Sequence, residues 1–281
     1  MRPKALQPRH PRNLPLRDHR LIPLTVVSNT AIRPRLHRLT FTSTEFADYN
    51  LDGPDEFFGL LMPKRGQEFT PFEIGRSNLR ATVAALPDEI RPDLRWYTVR
   101  SIDHAARTIT TDIVTHGDNG PGTSWVKRAC AGVTAGMYTC SAIWSPTTSA
   151  QLLVADASSL PALRHILSYQ FRNAPQALAQ ADVVAVVTDF DEVEEGLAEQ
   201  WSPLLHTLTV VKCEKTLETT TTLSTINDLF ESRKLLPPSS VWACGEGSLA
   251  KAIRKEAIDE WGLSPDDVTW SPFWFHGKAR P

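Results

Sequence analysis

The rhythm of this chain changes once, in the loop Ser145 to Ala150, and that change restricts its fold more than any other feature. From Leu21 to about Trp144 the residues run in short β-branched or aromatic stretches broken by Gly, Pro, Asn and Asp, without a sustained helical period. Such a pattern predicts a β-barrel or sandwich. Predicted strands cover Leu24–Asn29, Leu36–Thr42, Phe57–Met62, Arg80–Ala84, Leu94–Arg100 and Thr108–Thr115. In the last, Ile109, Thr111, Ile113 and Thr115 alternate with Thr110, Asp112, Val114 and His116, a period of two.

Beyond Ala150 compact apolar runs at Gln151–Ala155, Asp182–Thr188, Thr207–Lys212 and Ser240–Cys244 suit strands of a buried parallel sheet. Helical patterns separate them: Pro161–Phe171, Ser224–Arg233 opening on a capping serine, and Ser248–Trp261 ending at Gly262. Strand, helix, strand at this spacing predicts a doubly wound α/β domain with its ligand site at the carboxyl ends of the strands. The expected organisation is a tail over residues 1–20, a β-barrel domain over 21–146 and an α/β domain over 147–281.

Composition removes several classes of function. A formal charge of −2 across 281 residues argues against a whole-chain polyanion binder, so nucleic acid is not an expected partner. Cys130, Cys140, Cys213 and Cys244 lack C-x-x-C spacing and no zinc-type His and Cys cluster accompanies them. With no run near 18 apolar residues and no apolar N-terminal core, a cytoplasmic protein that is neither exported nor membrane-spanning is expected. The first twenty residues place Arg2, Lys4, Arg9, Arg12, Arg17 and Arg20 among four prolines. They read as a disordered tail, or alternatively as a basic arm for an acidic partner or membrane surface.

Two stretches carry chemistry. RWYTVR at Arg95–Arg100 sets a cation and an aromatic ring, Arg95 and Tyr97, on one face of an extended segment, with Thr98 on the other. HGDNGPGTSW at His116–Trp125 places Gly117, Gly120 and Gly122 around Pro121 and then opens a short helix at Thr123, Ser124 and Trp125. Glycines permit close backbone approach, and a first helical turn offers unpaired N–H groups and a positive dipole end to phosphate. Each stretch alone fits an ordinary sheet or turn. Together they suit a flavin dinucleotide, with a clamp for its pyrophosphate and a face for its isoalloxazine ring.

On these residues the chain resembles the siderophore-interacting proteins, FAD-dependent ferric-siderophore reductases related to the ferredoxin reductases. The family's R-x-Y-T and H-G-x-x-G-P segments appear as Arg95, Tyr97, Thr98 and as His116, Gly117, Gly120, Pro121, with the following Trp125. The resemblance implies that Arg95 holds pyrophosphate, Tyr97 stacks on the ring, Thr98 bonds its edge, and the Gly120–Ser124 backbone, with Gly122 and Thr123, cradles phosphate. Further on, LLVADASSLPALRHIL resembles the first strand and helix of the family's nicotinamide domain, normally G-D-E-T-A-L-P-A. Asp156, Leu160, Pro161 and Ala162 match, whereas Ala155, Ala157, Ser158 and Ser159 depart. VWACGEGS carries the G-E pair as Gly245 and Glu246, and SPFWFHGKA resembles the aromatic tail, with Phe275 and His276 as departures.

The resemblance implies FAD as cofactor, NADH or NADPH as electron donor and a ferric siderophore as substrate. No cysteine group near the C-terminus matches the iron–sulfur branch, so no such cluster is expected. Because many ferric siderophores are anionic, Lys251, Arg254 and Lys255 on one helix face, with Lys278 and Arg280, are candidate substrate contacts, although a solvated helix face explains them equally. Asp189 after its strand would favour NADH by bonding a ribose 2′-hydroxyl; a solvated acidic loop with Asp191, Glu192, Glu194 and Glu195 is the alternative. Two other functions stay open, an iron-chelate or flavin binder without reductase activity and a general NAD(P)H diaphorase. Which siderophore, which donor and how many subunits the sequence leaves open.

Overall fold

The computed structural model describes residues 19–74, 78–115 and 120–277. The proposed disordered tail therefore falls, except for its last two residues, outside the described residues. Strands β1 (Leu21–Arg33), β2 (Leu36–Thr42) and β3 (Phe57–Met62) are followed by helix α1 (Leu79–Ala85). Then come β4 (Asp93–Thr98), β5 (Ser101–Asp103), β6 (Thr108–Val114), helix α2 (Pro121–Val126) and β7 (Thr134–Thr139). The seven strands form one antiparallel sheet in the order β4-β3-β7-β1-β2-β6-β5. The sheet curls toward closure, because the Arg100 N–H just after β4 donates to Thr110 of β6 at 2.8 Å and Thr111 Oγ1 donates to the Thr98 carbonyl at 2.8 Å.

Alternation decides which side chains fill this barrel. Ile109, Thr111 and Ile113 of β6 are buried as their period requires, and join Ile22, Leu24, Leu39, Phe41, Phe58 and Met137 inside. One predicted strand is corrected: Arg80–Ala84 belongs to α1. Asn78 caps that helix by accepting from the Ala81 N–H at 2.9 Å, and Leu79 and Val83, four apart, are its buried residues. So short an Ala, Thr and Val run reads equally well at either period.

The second sheet is built from β8 (Gln151–Asp156), β9 (Ala181–Val187), β10 (Thr207–Lys212), β11 (Ser240–Glu246) and β12 (Val268–Trp274). Helices α3 (Leu160–Asn173), α4 (Leu197–Trp201), α5 (Glu218–Glu231) and α6 (Gly247–Asp259) lie in their chain positions between them. All pairings are parallel, in the order β10-β9-β8-β11-β12, so the topological switch point lies between β8 and β11. Leu153 and Ala155 of β8 face α3 and α4, whereas Leu152 and Val154 face α5 and α6. Helix α5 starts six residues before the capping serine predicted for it. Its Thr219–Thr222 run is poor helix former by propensity, and the Thr222 hydroxyl donates back to the Glu218 carbonyl at 2.7 Å.

Buried charge joins the two sheets. Asp55, 1% exposed, accepts from the Ile143 and Trp144 N–H groups and from Trp242 Nε1 of β11, each at 3.0–3.1 Å. Burial pushes its carboxyl upward against those hydrogen bonds. Nearby, Arg38 grips Asp112 with two bonds of 2.8 Å, and Arg100 Nε lies 2.7 Å from the same carboxylate. From the α/β side, Glu194 takes Arg38 at 2.9 Å, Arg100 at 2.8 Å and Arg164 at 2.6 Å. Arg33 reaches Asp191 at 3.0 Å, and Arg35 approaches Asp189 at 3.8 Å and Glu192 at 3.6 Å. Asp191, Glu192 and Glu194 of the acidic stretch after β9 thus form one half of a latch between domains.

Burial works to raise the Glu194 carboxyl, but hydrogen bonds from Arg100 and Arg38 outweigh it and hold the group below its ordinary 4.5. The latch therefore contributes fully above that pH and is lost as pH falls through the lowered value. Asp55→Ala should cost about 3 kcal/mol or more, since three enclosed N–H donors lose their acceptor. Urea unfolding of the variant checks this, and a loss under about 1 kcal/mol would show that the carboxylate does not hold the interface.

Candidate functional site

Strand β4 lies at one edge of the barrel sheet and sorts its side chains by alternation. Leu94 and Trp96 pack with Leu61, Leu79 and Val83 beneath α1, which leaves Arg95 and Tyr97 on the opposite side. Arg95 is exposed, with one N–H donating to its neighbour's carbonyl, that of Leu94, at 2.7 Å. The half-buried Tyr97 turns its hydroxyl over Gly122, where any Cβ would collide with Tyr97 Oη and lie 3.6 Å from Arg95 Cγ. Arg95, Tyr97 and the glycine turn, distant in sequence, are therefore one site. Burial pushes the Tyr97 phenol up to about 12, with Arg95 acting against it, so the hydroxyl stays a neutral donor.

Helix α2 opens at Gly120, extended at φ −109°, with Pro121 in the first turn and a first internal bond from Ser124 N–H to the Gly120 carbonyl at 2.9 Å. Among the described residues a Cβ at Gly120 would meet nothing within 4 Å, and Ser124 is exposed beside it. Apolar anchoring holds the helix in place. Trp125, expected at the cofactor, is instead 1% exposed and stacks on Phe41 with ring centroids 6.3 Å apart, inside the barrel. Thr123 is likewise buried, and Asn29 Nδ2 secures the helix end by donating to the Val126 and Ala129 carbonyls at 2.7 and 2.9 Å. His116 and Gly117 lie outside the described residues.

Thr98 is 3% exposed on the opposite face from Tyr97, as alternation requires, and its buried Oγ1 has no hydrogen-bond partner among the described residues. An orphaned hydroxyl, an uncovered cation and a glycine that admits no side chain together fit a flavin dinucleotide. Arg80, read from sequence as part of a strand, lies on α1, where burial first and then the Arg95 charge lower its pKa. Only tertiary packing of α1 brings the two charges together.

At the α/β domain the expected cofactor residues are enclosed by the protein itself. Asp156 at the end of β8 is 0% exposed. Its Oδ1 accepts from the Ser158 N–H and hydroxyl at 2.8 and 2.6 Å and from the Ser159 N–H at 3.1 Å; its Oδ2 accepts from the Glu246 N–H and Trp274 Nε1, both at 2.8 Å. Gly245, at φ +141°, packs so closely on that carboxylate that a Cβ would strike it. Glu246 caps α6, its Oε2 accepting from the Ser248 and Leu249 N–H groups at 2.5 and 3.1 Å and its Oε1 from the His276 N–H at 3.2 Å. These three residues organise the ends of β8 and β11. Cys244 near the end of β11 is 1% exposed.

Two of the candidate substrate cations have partners within the protein. Lys255 pairs with Asp259 at 3.0 Å, which raises its pKa, and Arg254 lies over the Trp270 ring, 5.7 Å from its centroid. Lys251 is exposed on the same helix, and Lys278 and Arg280 lie outside the described residues. Among the described residues no group of His, Cys, Asp and Glu could hold a metal ion, and no helix is long and apolar enough to cross a membrane.

An antiparallel flavin-binding sheet followed by a parallel α/β sheet is the architecture of the ferredoxin reductases. Residues 25–140 match the siderophore-interacting FAD-binding domain and residues 148–277 the siderophore-interacting protein domain. The chain belongs to the siderophore-interacting protein family. It is similar to an uncharacterized protein of Mycobacterium tuberculosis, 34% identical over 112 residues. That match covers 39% of this chain and 38% of the relative, so the chain spans about two fifths of the length of the first such relatives. Ferric acinetobactin reductase of Acinetobacter baumannii is 25% identical over 200 residues, 70% of this chain and 66% of that one. Among solved structures, the siderophore-interacting protein SipS from Aeromonas hydrophila shares the fold with a TM-score of 0.70 at 23% identity, over 92% of this chain and 93% of that one.

Gly122→Ala should displace Tyr97 and abolish flavin retention, whereas Gly120→Ala, where space is open, should keep it. Flavin absorbance per mole of purified protein reads the difference. Equal loading of both variants would show that the Tyr97 contact with the turn does not shape the site.

Proposed function

We propose that this chain reduces ferric siderophores with electrons carried on FAD. The juxtaposition of Arg95, Tyr97 and Gly122 carries the reading, because it joins a cation for the diphosphate, an aromatic face for the ring and a turn that a side chain would block. The FAD-binding character of the first domain and the likeness to ferric acinetobactin reductase support it. Bound flavin accepts an electron pair and releases electrons singly, which matches the one electron that Fe³⁺ takes. No acid–base triad is needed.

What these residues contribute is placement. Arg95 would anchor the diphosphate, Tyr97 would hold the ring by its face with a phenol that stays neutral, and the buried Thr98 hydroxyl would gain the ring edge as partner. The exposed Arg95 and the adjacent Arg80 would also draw an anionic chelate toward the flavin. Iron leaves once reduced, since Fe²⁺ is held less strongly than Fe³⁺ by hard anionic oxygen donors. A second reading, a flavoprotein that binds iron chelates without reducing them, is favoured by the enclosed strand ends of the α/β domain.

One anaerobic experiment separates the two. FAD-loaded protein, reduced with stoichiometric dithionite, is mixed with a ferric siderophore and a ferrous-specific dye. Reoxidation of the flavin with about two ferrous ions trapped per flavin, at least about tenfold faster than with free reduced FAD, is expected. Flavin that stays reduced beside bound chelate would leave only the binding reading.

A further inference from the structure

Helix α3 has two working faces. Leu163, Ile166 and Leu167 pack into the α/β core, whereas Pro161, Arg164 and His165 fall at i, i+3 and i+4 on the side turned to the barrel. Pro161 and Arg164 line a small cavity with Leu36 and Asp112 of the barrel, and Arg164 ends on Glu194. His165 reaches further. Its Nδ1 lies 2.8 Å from the Val99 carbonyl, one residue beyond Thr98 of β4. A carbonyl can only accept, so the proton of the neutral ring sits on Nδ1. Burial foremost holds the ring below its ordinary 6.5; the Val99 bond opposes this, and the Arg172 and Arg100 charges add to it.

The barrel pins the backbone on either side of that carbonyl. The Thr98 carbonyl accepts from Thr111 Oγ1 at 2.8 Å, the Val99 N–H donates to the Glu56 carbonyl at 3.0 Å, and the Arg100 N–H donates to that of Thr110 at 2.8 Å. For the Val99 carbonyl itself the partner comes from α3. Val99 is 0% exposed, so loss of the imidazole would leave a buried acceptor unsatisfied. The peptide between Val99 and Arg100 would then turn toward another donor and carry the end of β4 with it.

We propose that His165 is a positioning residue for the flavin. By donating to the Val99 carbonyl it fixes the end of β4, and with it the Thr98 hydroxyl, whose buried oxygen has no partner among the described residues. This role rests on the flavin reading of Arg95, Tyr97 and Thr98, and it gives the α/β domain a hold on the ring's surroundings that needs no contact with the ring. A histidine that only filled the interface would be replaced equally well by any side chain of similar volume.

Two variants of the full chain separate donor from filler. His165→Leu keeps apolar bulk and removes the donor, whereas His165→Asn carries an N–H close to the place of Nδ1. For each FAD-loaded protein the balance of oxidised and reduced flavin is measured against a redox dye, together with the visible circular dichroism of the flavin. His165→Leu should move that balance at least about fivefold and change the dichroism, and His165→Asn should stay within about twofold of wild type. A folded His165→Leu protein with the wild-type balance, or His165→Asn shifted as far as His165→Leu, would overturn the role. Nitrogen NMR of histidine-labelled wild type needs no variant: the His165 proton should sit on Nδ1, and a proton on Nε2 would overturn the proposal even if both variants failed to fold. Wild type that takes up no FAD would sink the flavin reading and this role with it, whereas normal uptake with neither variant shifted would sink this role alone.

Discussion

The guanidinium of Arg100, set between Asp112 of the barrel and Glu194 of the α/β domain, is the contact on which the arrangement of this molecule depends. It ends the same short segment whose first half faces the candidate flavin site. Five residues earlier Arg95 is uncovered and Tyr97 leans on the glycine turn; one residue earlier the Val99 carbonyl meets His165 Nδ1 of α3 at 2.8 Å. The candidate flavin site and the domain latch thus lie on one short segment, β4 and the two residues after it. Any shift of the α/β domain would pull directly on the strand that carries Arg95 and Tyr97.

Charge burial makes this junction specific. Arg38, Arg100 and Arg164 converge on Asp112 and Glu194, and each carboxylate keeps more than one guanidinium. Bidentate pairing of this kind fixes orientation as well as distance. Asp55 does the same with neutral donors, tying the linker at Ile143 and Trp144 and the indole of Trp242 to a single side chain. Beside the arginine cluster remains a cavity of about 20 Å³, lined by Leu36, Leu160, Pro161 and Leu197 among others, room for roughly one water.

Much of this architecture was legible in the residues, because periodicity reports burial directly. Strands β2, β3 and β10 have the limits that their apolar runs imply, and the change of rhythm near Ser145 separates the two sheets. Arg95, Tyr97 and Gly122 were legible as a group because their spacing matches a known pair of segments. What stayed hidden depends on partners far away in sequence. Trp125 could have faced a ring or a core, and only the barrel interior around Phe41 decides it. Asp156 and Glu246 look like ligand residues by type and position; the partners they hold here, among them Ser158, Trp274 and Ser248, come together only in the folded chain. The acids from Asp189 to Glu194 looked solvated because most of the arginines that claim them lie on the barrel domain, more than ninety residues away. Strand β12 was missed because Pro272 breaks its pattern, which an edge strand tolerates.

The central claim is that isoalloxazine rests on Tyr97 with its diphosphate between Arg95 and the first turn of α2. A crystal structure of the chain grown with FAD tests it most directly. It should show the ring stacked on Tyr97, diphosphate oxygens within hydrogen-bond reach of Arg95 and of the Gly122 and Thr123 N–H groups, and the Thr98 hydroxyl turned to the ring edge. Flavin bound elsewhere, with Tyr97 and Arg95 left as they are here, would contradict the account.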